Sequence, residues 1–376
     1  MNIFVSVFLL LALHYLYFLL RIFFGLSKNA DEKNDVLPED FISVIIPFRN
    51  EQENILNNLR SLEAQNYPDE KFEVIYVDDF STDTSKSILE NALNKSNVKV
   101  LSVPRSHSDK AHKKRAIEFG FQNSAGNIIV STDADCIVPE NWLIKILSGF
   151  DEKTAFVSGP VDFIEEKSIF QKYQKLEFRS LIIVGAGLIG AGRPTLCNAA
   201  NLAYRKNVFE EVKGHSSNLN ISSGDDEFLM QKIAFDTEYK IKFAADPEAV
   251  VLTPANSSLN KFYNQRKRWA SKGLFYQNKN LIFQLILIYL FYLSLLAGLT
   301  LGILFDQTLL MISALIFGLK IIVEFFVLRR GCRKFYMNCS LKLFIPSQLL
   351  HLIYIVFFGA AGVFGNYEWK GRRVKR

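Results

Sequence analysis

Hydrophobic and polar positions divide the chain into two textures. Met1 to Leu20 hold no Asp, Glu, Lys or Arg, and Arg21 is the first charge. A run of roughly twenty-five such residues can cross a hydrocarbon core of about 30 Å. No basic segment precedes the run and no small-residue cleavage site follows it, which favours a retained anchor over a secretory leader. Three more apolar stretches follow near the other end, Leu281 to Phe305, Thr308 to Leu328 and Phe344 to Phe364. The middle, from about Lys28 to Lys279, has ordinary globular patterning and is long enough for one α/β domain with its own core.

Within the middle, short apolar runs alternate with helical periodicities. "FISVIIP" reads as a buried strand, and "EQENILNNLRSLEAQ" as a helix with Ile55, Leu59 and Leu62 on one face. "FEVIYVDD" is a second strand. "STDTSKSILENALN" opens on capping residues, Ser81 or Thr82, and continues as a helix. "VKVLSV" is a third strand, "KKRAIEFGFQNSAG" a helix ending at Gly126, and "NIIVSTDAD" a fourth strand. Pro139 stands near the first turn of the helix "PENWLIKILSGF", where its missing N–H costs nothing. This order predicts an α/β fold with a doubly wound, mostly parallel sheet, flanked by membrane helices at both ends. The expected divisions are an anchor over 1–27, the globular domain over 28–258, an interfacial amphipathic helix over 259–279, and membrane helices with a basic tail over 280–376.

Charge refines the picture. The chain is 49% hydrophobic and 22% charged, with a formal net charge of +6. The positive charge gathers at Arg105 to Arg115, around Gln265, in "RRGCRK" and in the tail "KGRRVKR". Basic clusters beside apolar spans point to a cytoplasmic, anionic-lipid-facing surface, and no nucleic-acid-binding motif accompanies them. Four complete spans would then put the basic tail outside, against the positive-inside rule; a re-entrant or interfacial C-terminal segment removes the conflict. Lys320 and Glu324, four residues apart on one face of the third span, can neutralise each other there, as a packing pair or as a functional one. The four cysteines have no CxxC spacing and indicate neither a disulfide framework nor a zinc site.

Candidate chemistry lies at strand ends. In open α/β sheets ligands bind beyond the carboxyl ends of the strands, where Asp78/Asp79 and Asp133/Asp135 fall. The one-residue gap in "DAD" lets two side chains at an extended strand end point the same way, a pair of hard oxygen donors suited to a divalent cation that also takes phosphate oxygens. "SSGDDEFLM" sets Gly224, Asp225, Asp226 and Glu227 ahead of a helix, and capping explains one or two of its acids. "GAGLIG", Gly185 to Gly190, matches G-x-G-x-x-G but follows a helical stretch and precedes Pro194, so it reads as a flexible or membrane-skimming acceptor segment. "NQRKRWASKGLF" is either the cationic, aromatic collar of a membrane helix or part of a site. Walker A, GxSxG and HExxH sequences are absent.

Taken in order, "SVIIPFRNEQENI", "VDDFSTDTS", "KKRAIEFG", "TDADC", "CNAANLAYRK", "SGDDEFL" and "QRKRW" resemble the inverting family 2 glycosyltransferases of GT-A fold. The likeness is to the membrane-integrated branch that includes cellulose, chitin and hyaluronan synthases and ceramide glucosyltransferases. It implies that Pro47 and Glu51 line a nucleotide pocket and that Asp79, with Asp78, reads the uracil edge of a UDP-sugar. Lys113 would approach the diphosphate, with Lys110 and Lys114 as rivals, while Asp133 and Asp135 hold Mg²⁺ or Mn²⁺. Asp226 takes the position of the general base, beside Asp225, and Gln265, Arg268 and Trp269 form a Q-x-x-R-W motif. "CNAANLAY" lacks a glycine common near Ala199 and Ala200, and "VKGHSSN" replaces a glycine-rich loop, both on the acceptor side. The implied protein is an integral membrane enzyme of bacterial inner-membrane type with its catalytic domain in the cytoplasm. Its acceptor would be a membrane lipid or a growing glycan, and its rivals are a processive polysaccharide synthase and a catalytically silent scaffold.

Overall fold

The computed structural model describes residues 2–28, 40–104, 112–215, 224–363, 367–369 and 372–374. A seven-stranded sheet forms the centre, in the order β3-β2-β1-β4-β7-β5-β8. Its strands are β1 (Ile42–Phe48), β2 (Phe72–Asp78), β3 (Val98–Ser102), β4 (Ile128–Ser131), β5 (Thr154–Ser158), β7 (Leu202–Arg205) and β8 (Lys240–Phe243). All pair in parallel except β7, which runs against both β4 and β5. A second pairing joins β6 (Val161–Phe163) to β9 (Val251–Thr253), and a third joins β10 (Tyr367–Trp369) to β11 (Arg372–Val374). Every residue of β1 is buried, as expected of a central strand covered on both faces. The helices are α2 (Ile55–Glu63), α3 (Ser85–Ala92), α4 (His112–Gln122), α5 (Trp142–Leu147), α6 (Ile169–Gly190), α7 (Lys206–Glu211), α8 (Asp225–Asp236) and α9 (Leu259–Ser271), with α1 (Asn2–Lys28) before them. Ile55, Leu59 and Leu62 are the buried face of α2, following the sequence periodicity.

Three local expectations are corrected. The α4 helix ends at Gln122, not at Gly126; Gly126 instead lies so close to β1 that a Cβ there would sit 2.4 Å from the Ser43 nitrogen. The fourth strand stops at Ser131, and Asp133 to Asp135 follow in a turn closed by the Cys136 N–H donating to the Asp133 carbonyl at 3.0 Å. "GAGLIG" is not flexible: it is the end of the continuous helix α6. Its glycines make a helix crossing, because a Cβ on Gly25 of α1 would lie 1.9 Å from the Gly187 carbonyl oxygen and one on Gly187 would lie 2.5 Å from Ile22 Cγ2. Small residues let the two backbones touch.

The remaining helices are α10 (Lys279–Phe305), α11 (Gln307–Phe335) and α12 (Phe344–Val363). With α1 they are the four helices, among the described residues, long and apolar enough to cross a membrane. Inside this bundle Lys320 Nζ is 2.8 Å from Glu324 and 2.7 Å from Gln348 Oε1, while the Tyr15 hydroxyl donates to Glu324 at 2.6 Å. Tyr15 and Tyr292 hydroxyls are 2.9 Å apart. The pair read from the sequence is thus the centre of a polar cross-link among α1, α10, α11 and α12. Cys332 and Cys339 are disulfide-bonded with Cα atoms 5.7 Å apart, contrary to the reading of the cysteine spacing. The chain leaves α11 after Phe335, and the short connection to α12 brings the second cysteine back to the first.

Candidate active site

The carboxyl ends of β1, β2 and β4 open onto a cavity of about 1660 Å³ that continues from the globular domain down among the apolar helices. Pro47, Glu51 and Asp79 line its sheet end. Arg49, which the sequence reading did not single out, staples the first two strand ends by donating from Nη1 to the Asp79 carbonyl at 2.8 Å and the Phe80 carbonyl at 2.6 Å. Glu51 is fixed by the Asn54 amide, 2.9 Å from Oε2. The neighbouring aspartates part company: Asp79 faces the cavity, whereas Asp78 is not among its lining residues and accepts the Ser81 N–H at 3.0 Å. Asp78 therefore closes the turn after β2.

Asp133 and Asp135 both line the cavity. Lys113 Nζ lies 2.7 Å from Asp133 Oδ1 and 3.4 Å from Asp225 Oδ2. Burial opposes its charge, but Asp133 and Asp225 outweigh that and hold the ammonium above the usual lysine range. Of its rivals, Lys114 is buried over the Phe228 ring, 5.3 Å from the centroid, and burial pushes it down to about 8; Lys110 lies outside the described residues. Among the described residues no group of three or more His, Cys, Asp or Glu converges as a metal cage. A two-carboxylate donor set fits a cation that completes its shell with water and phosphate oxygens.

The three adjacent acids at the start of α8 are separated by their partners. Asp225 is claimed by Lys113. Despite burial, which raises it, Lys113, His215 and Lys114 hold Asp225 below the carboxylate range. Glu227 is claimed by Lys272 Nζ at 3.0 Å and by the Tyr276 hydroxyl at 2.7 Å. Asp226 has no ion-pair partner among the described residues. It accepts the Ala199 N–H at 2.9 Å through Oδ2 and the Glu227 N–H at 2.8 Å through Oδ1, and it lines the cavity. Backbone amides orient this carboxylate without covering it. Cys197 lines the cavity too, and burial and then the neighbouring acids push its thiol up.

Helix α9 supplies the opposite wall with Gln265, Arg268 and Trp269. The side chain that organises Gln265 and Trp269 is Arg266, which the sequence reading passed over. It is 2% exposed, ion-paired with Glu177 of α6, and 2.5 Å from Gln265 Oε1. Its guanidinium lies 4.2 Å from the Trp269 ring centroid and 4.6 Å from that of Phe262, a stack that fixes both rings. Tyr354 of α12 donates to the same Glu177 at 2.9 Å. One signal could have revealed Arg266: three helical positions separate it from Trp269.

Behind α8, His215 is 3% exposed and meets the Phe209 ring edge-on at 5.4 Å. Burial lowers its pKa from the ordinary histidine value of 6.5 to about 4. Between those values the unfolded chain binds a proton that the folded chain refuses, so stability falls as pH drops through 6.5 and the loss is complete near 4. The expected loss approaches roughly 3 kcal/mol. Melting of His215→Phe across this range should show a flatter acid limb; an unchanged limb would remove His215 as its cause.

Comparison with known proteins follows the same lines. Residues 43–213 match the family described as glycosyl transferase family 2. The chain is 29% identical over 215 residues to the glycosyltransferase AglE of Haloferax volcanii, covering 55% of this chain and 65% of that protein. It is 26% identical over 278 residues to a poly-beta-1,6-N-acetyl-D-glucosamine synthase of Staphylococcus aureus, covering 72% of this chain and 63% of the synthase. The chain thus spans less than two thirds of either relative's length. The structure of a mannosyltransferase from Pyrobaculum calidifontis, in complex with GDP-Man and Mn²⁺, superposes with a TM-score of 0.56 over 95% of this chain and 98% of that one, at 19% identity. That likeness is one of fold, and it agrees with the mostly parallel sheet flanked by apolar helices. Over residues 43–213, the chain is similar to the glycosyl transferase family 2 domain.

Proposed function

We propose that this protein is an inverting glycosyltransferase that moves a sugar from a nucleotide-sugar, a UDP-sugar on the sequence resemblance, to a lipid held in the membrane. The observation that carries this reading is the position of Asp226. It is oriented by the Ala199 amide and faces the same cavity as Asp133, Asp135 and Trp269, and that cavity continues among apolar helices.

In this reading Pro47, Glu51 and Asp79 receive the nucleotide, and Asp133 and Asp135 hold Mg²⁺ or Mn²⁺. The cation, when bound, supplies charge neutralisation at the leaving diphosphate. Lys113 and Arg268 add fixed positive charge to the same region, Arg268 with two donors that can grip two oxygens. Asp226 takes the proton of the acceptor hydroxyl as that oxygen bonds to the anomeric carbon and the diphosphate leaves from the far side. One such displacement inverts the anomeric centre. Trp269 offers a face against which a sugar ring or other acceptor group can stack.

A processive polysaccharide synthase is the second reading, favoured by the similarity to the Staphylococcus aureus enzyme. The test is nucleotide release by the purified, detergent-solubilised full chain with a panel of UDP- and GDP-sugars, Mn²⁺ or Mg²⁺, and a total lipid extract. Metal-dependent release from one donor with a single-sugar lipid product supports the first reading, and a long product the second. A folded protein that binds no nucleotide would sink both and leave the scaffold.

A further inference from the structure

We propose that α12 does not cross the membrane: it lies in the plane of the bilayer across the mouth of the α10–α11 hairpin. The chain then crosses three times, and its basic tail returns to the side of the globular domain. This inference holds whatever the chemistry of the cavity.

The hairpin supplies a depth scale. A Cβ on Gly302 would meet Leu310 and one on Gly298 would meet Ser313. Lys320 Nζ lies 5.3 Å from the Tyr292 ring centroid. These facing pairs put Phe325 of α11 level with Leu287 of α10.

Contacts along α12 can be read against that scale. The Phe344 ring is 5.6 Å from Phe325, Gln348 Oε1 is 2.7 Å from Lys320 Nζ, and the His351 ring is 5.7 Å from Tyr292. A Cβ on Gly359 would meet the Tyr289 ring at 2.5 Å. In α10 residues the successive depths are 287, 292, 292 and 289. They span about 7 Å of rise and reverse direction, although Phe344 and Gly359 are separated by about 22 Å of helix axis. A spanning helix would pass its markers in one order from one face to the other. The far end of α12 instead reaches elements next to the globular domain: the Phe358 and Phe262 rings are 6.1 Å apart, and a Cβ on Gly362 would lie 2.5 Å from Ala270 Cβ.

The two faces of α12 agree with this placement. Ile345, Leu349, Ile353 and Phe357, at helical spacing, are 62%, 62%, 56% and 52% exposed and form a stripe for lipid. Gln348, His351 and Tyr354 on the other side line the cavity. The tail "KGRRVKR" then lies on the same side as the other basic clusters, as the positive-inside rule requires.

The test labels single added cysteines in the full chain in its native membrane with a membrane-impermeant maleimide, from one side and then from both, against the chain with no added cysteine. Glu238→Cys marks the domain side, Gln307→Cys the hairpin tip, and a cysteine appended after Arg376 the tail. The tail should label with Glu238→Cys and stay unlabelled under conditions that label Gln307→Cys. Labelling with Gln307→Cys would overturn the proposal and restore α12 as a fourth span.

Discussion

Asp226→Asn should reduce turnover by about 10²–10⁴-fold, the range expected when a general base is removed, and leave donor binding unchanged. The isosteric amide still fills the space above Ala199, whose N–H donates to the carboxylate at 2.9 Å, but it cannot take a proton. The flanking acids cannot substitute, because Asp225 is engaged by Lys113 and Glu227 by Lys272 and Tyr276. Asp225→Asn and Glu227→Gln serve as comparisons, and each should perturb packing or donor binding more than the chemical step. Turnover and nucleotide affinity measured on all three decide it. If Asp226→Asn kept full turnover while Glu227→Gln lost it, the base would be Glu227 and the proposed geometry would be wrong.

Arg266→Met should cost about 3 kcal/mol of stability. Removing one member of a buried ion pair leaves the other uncompensated, and among the described residues Glu177 would keep only the Tyr354 hydroxyl. The same change removes the cation stacked on Trp269, so acceptor affinity should fall along with stability. Arg266→Met combined with Glu177→Gln should recover much of the stability, since the stranded charge is gone. Melting midpoints of the two single variants and the double variant test this coupling. Strictly additive losses would mean that the two side chains act separately, and that the ion pair does not organise the α9 wall.

Much of this was legible in the sequence, and the reasons are local. Strand β1 announced itself because a strand buried on both faces is an unbroken apolar run, and α2 because its buried positions recur at helical spacing. The aspartates at strand ends were visible because topology alone puts strand ends at the ligand side. Sequence could not separate Asp78 from Asp79, since the choice depends on which carboxylate meets the Ser81 amide. Nor could pattern and spacing rank Asp225, Asp226 and Glu227, a choice that came from the family resemblance alone, because their difference is made by Lys113 and Lys272 arriving from distant segments. "GAGLIG" was misread because glycines mark both loops and tight helix crossings, and only the partner, Ile22 and Gly25 of α1, distinguishes them. Arg266 was hidden among other cations until Glu177 from another helix identified it.

The contact between Gly25 and Gly187 has a mechanical consequence. At that crossing backbone lies against backbone, so α1 is held closely on α6 and works as a rigid strut. In the proposed reaction that strut sets a fixed stand-off between Asp226 and the lipid hydrocarbon. Acceptors would then be sorted by reach: a hydroxyl carried too low or too high above the acyl chains misses the carboxylate, whatever its chemical identity.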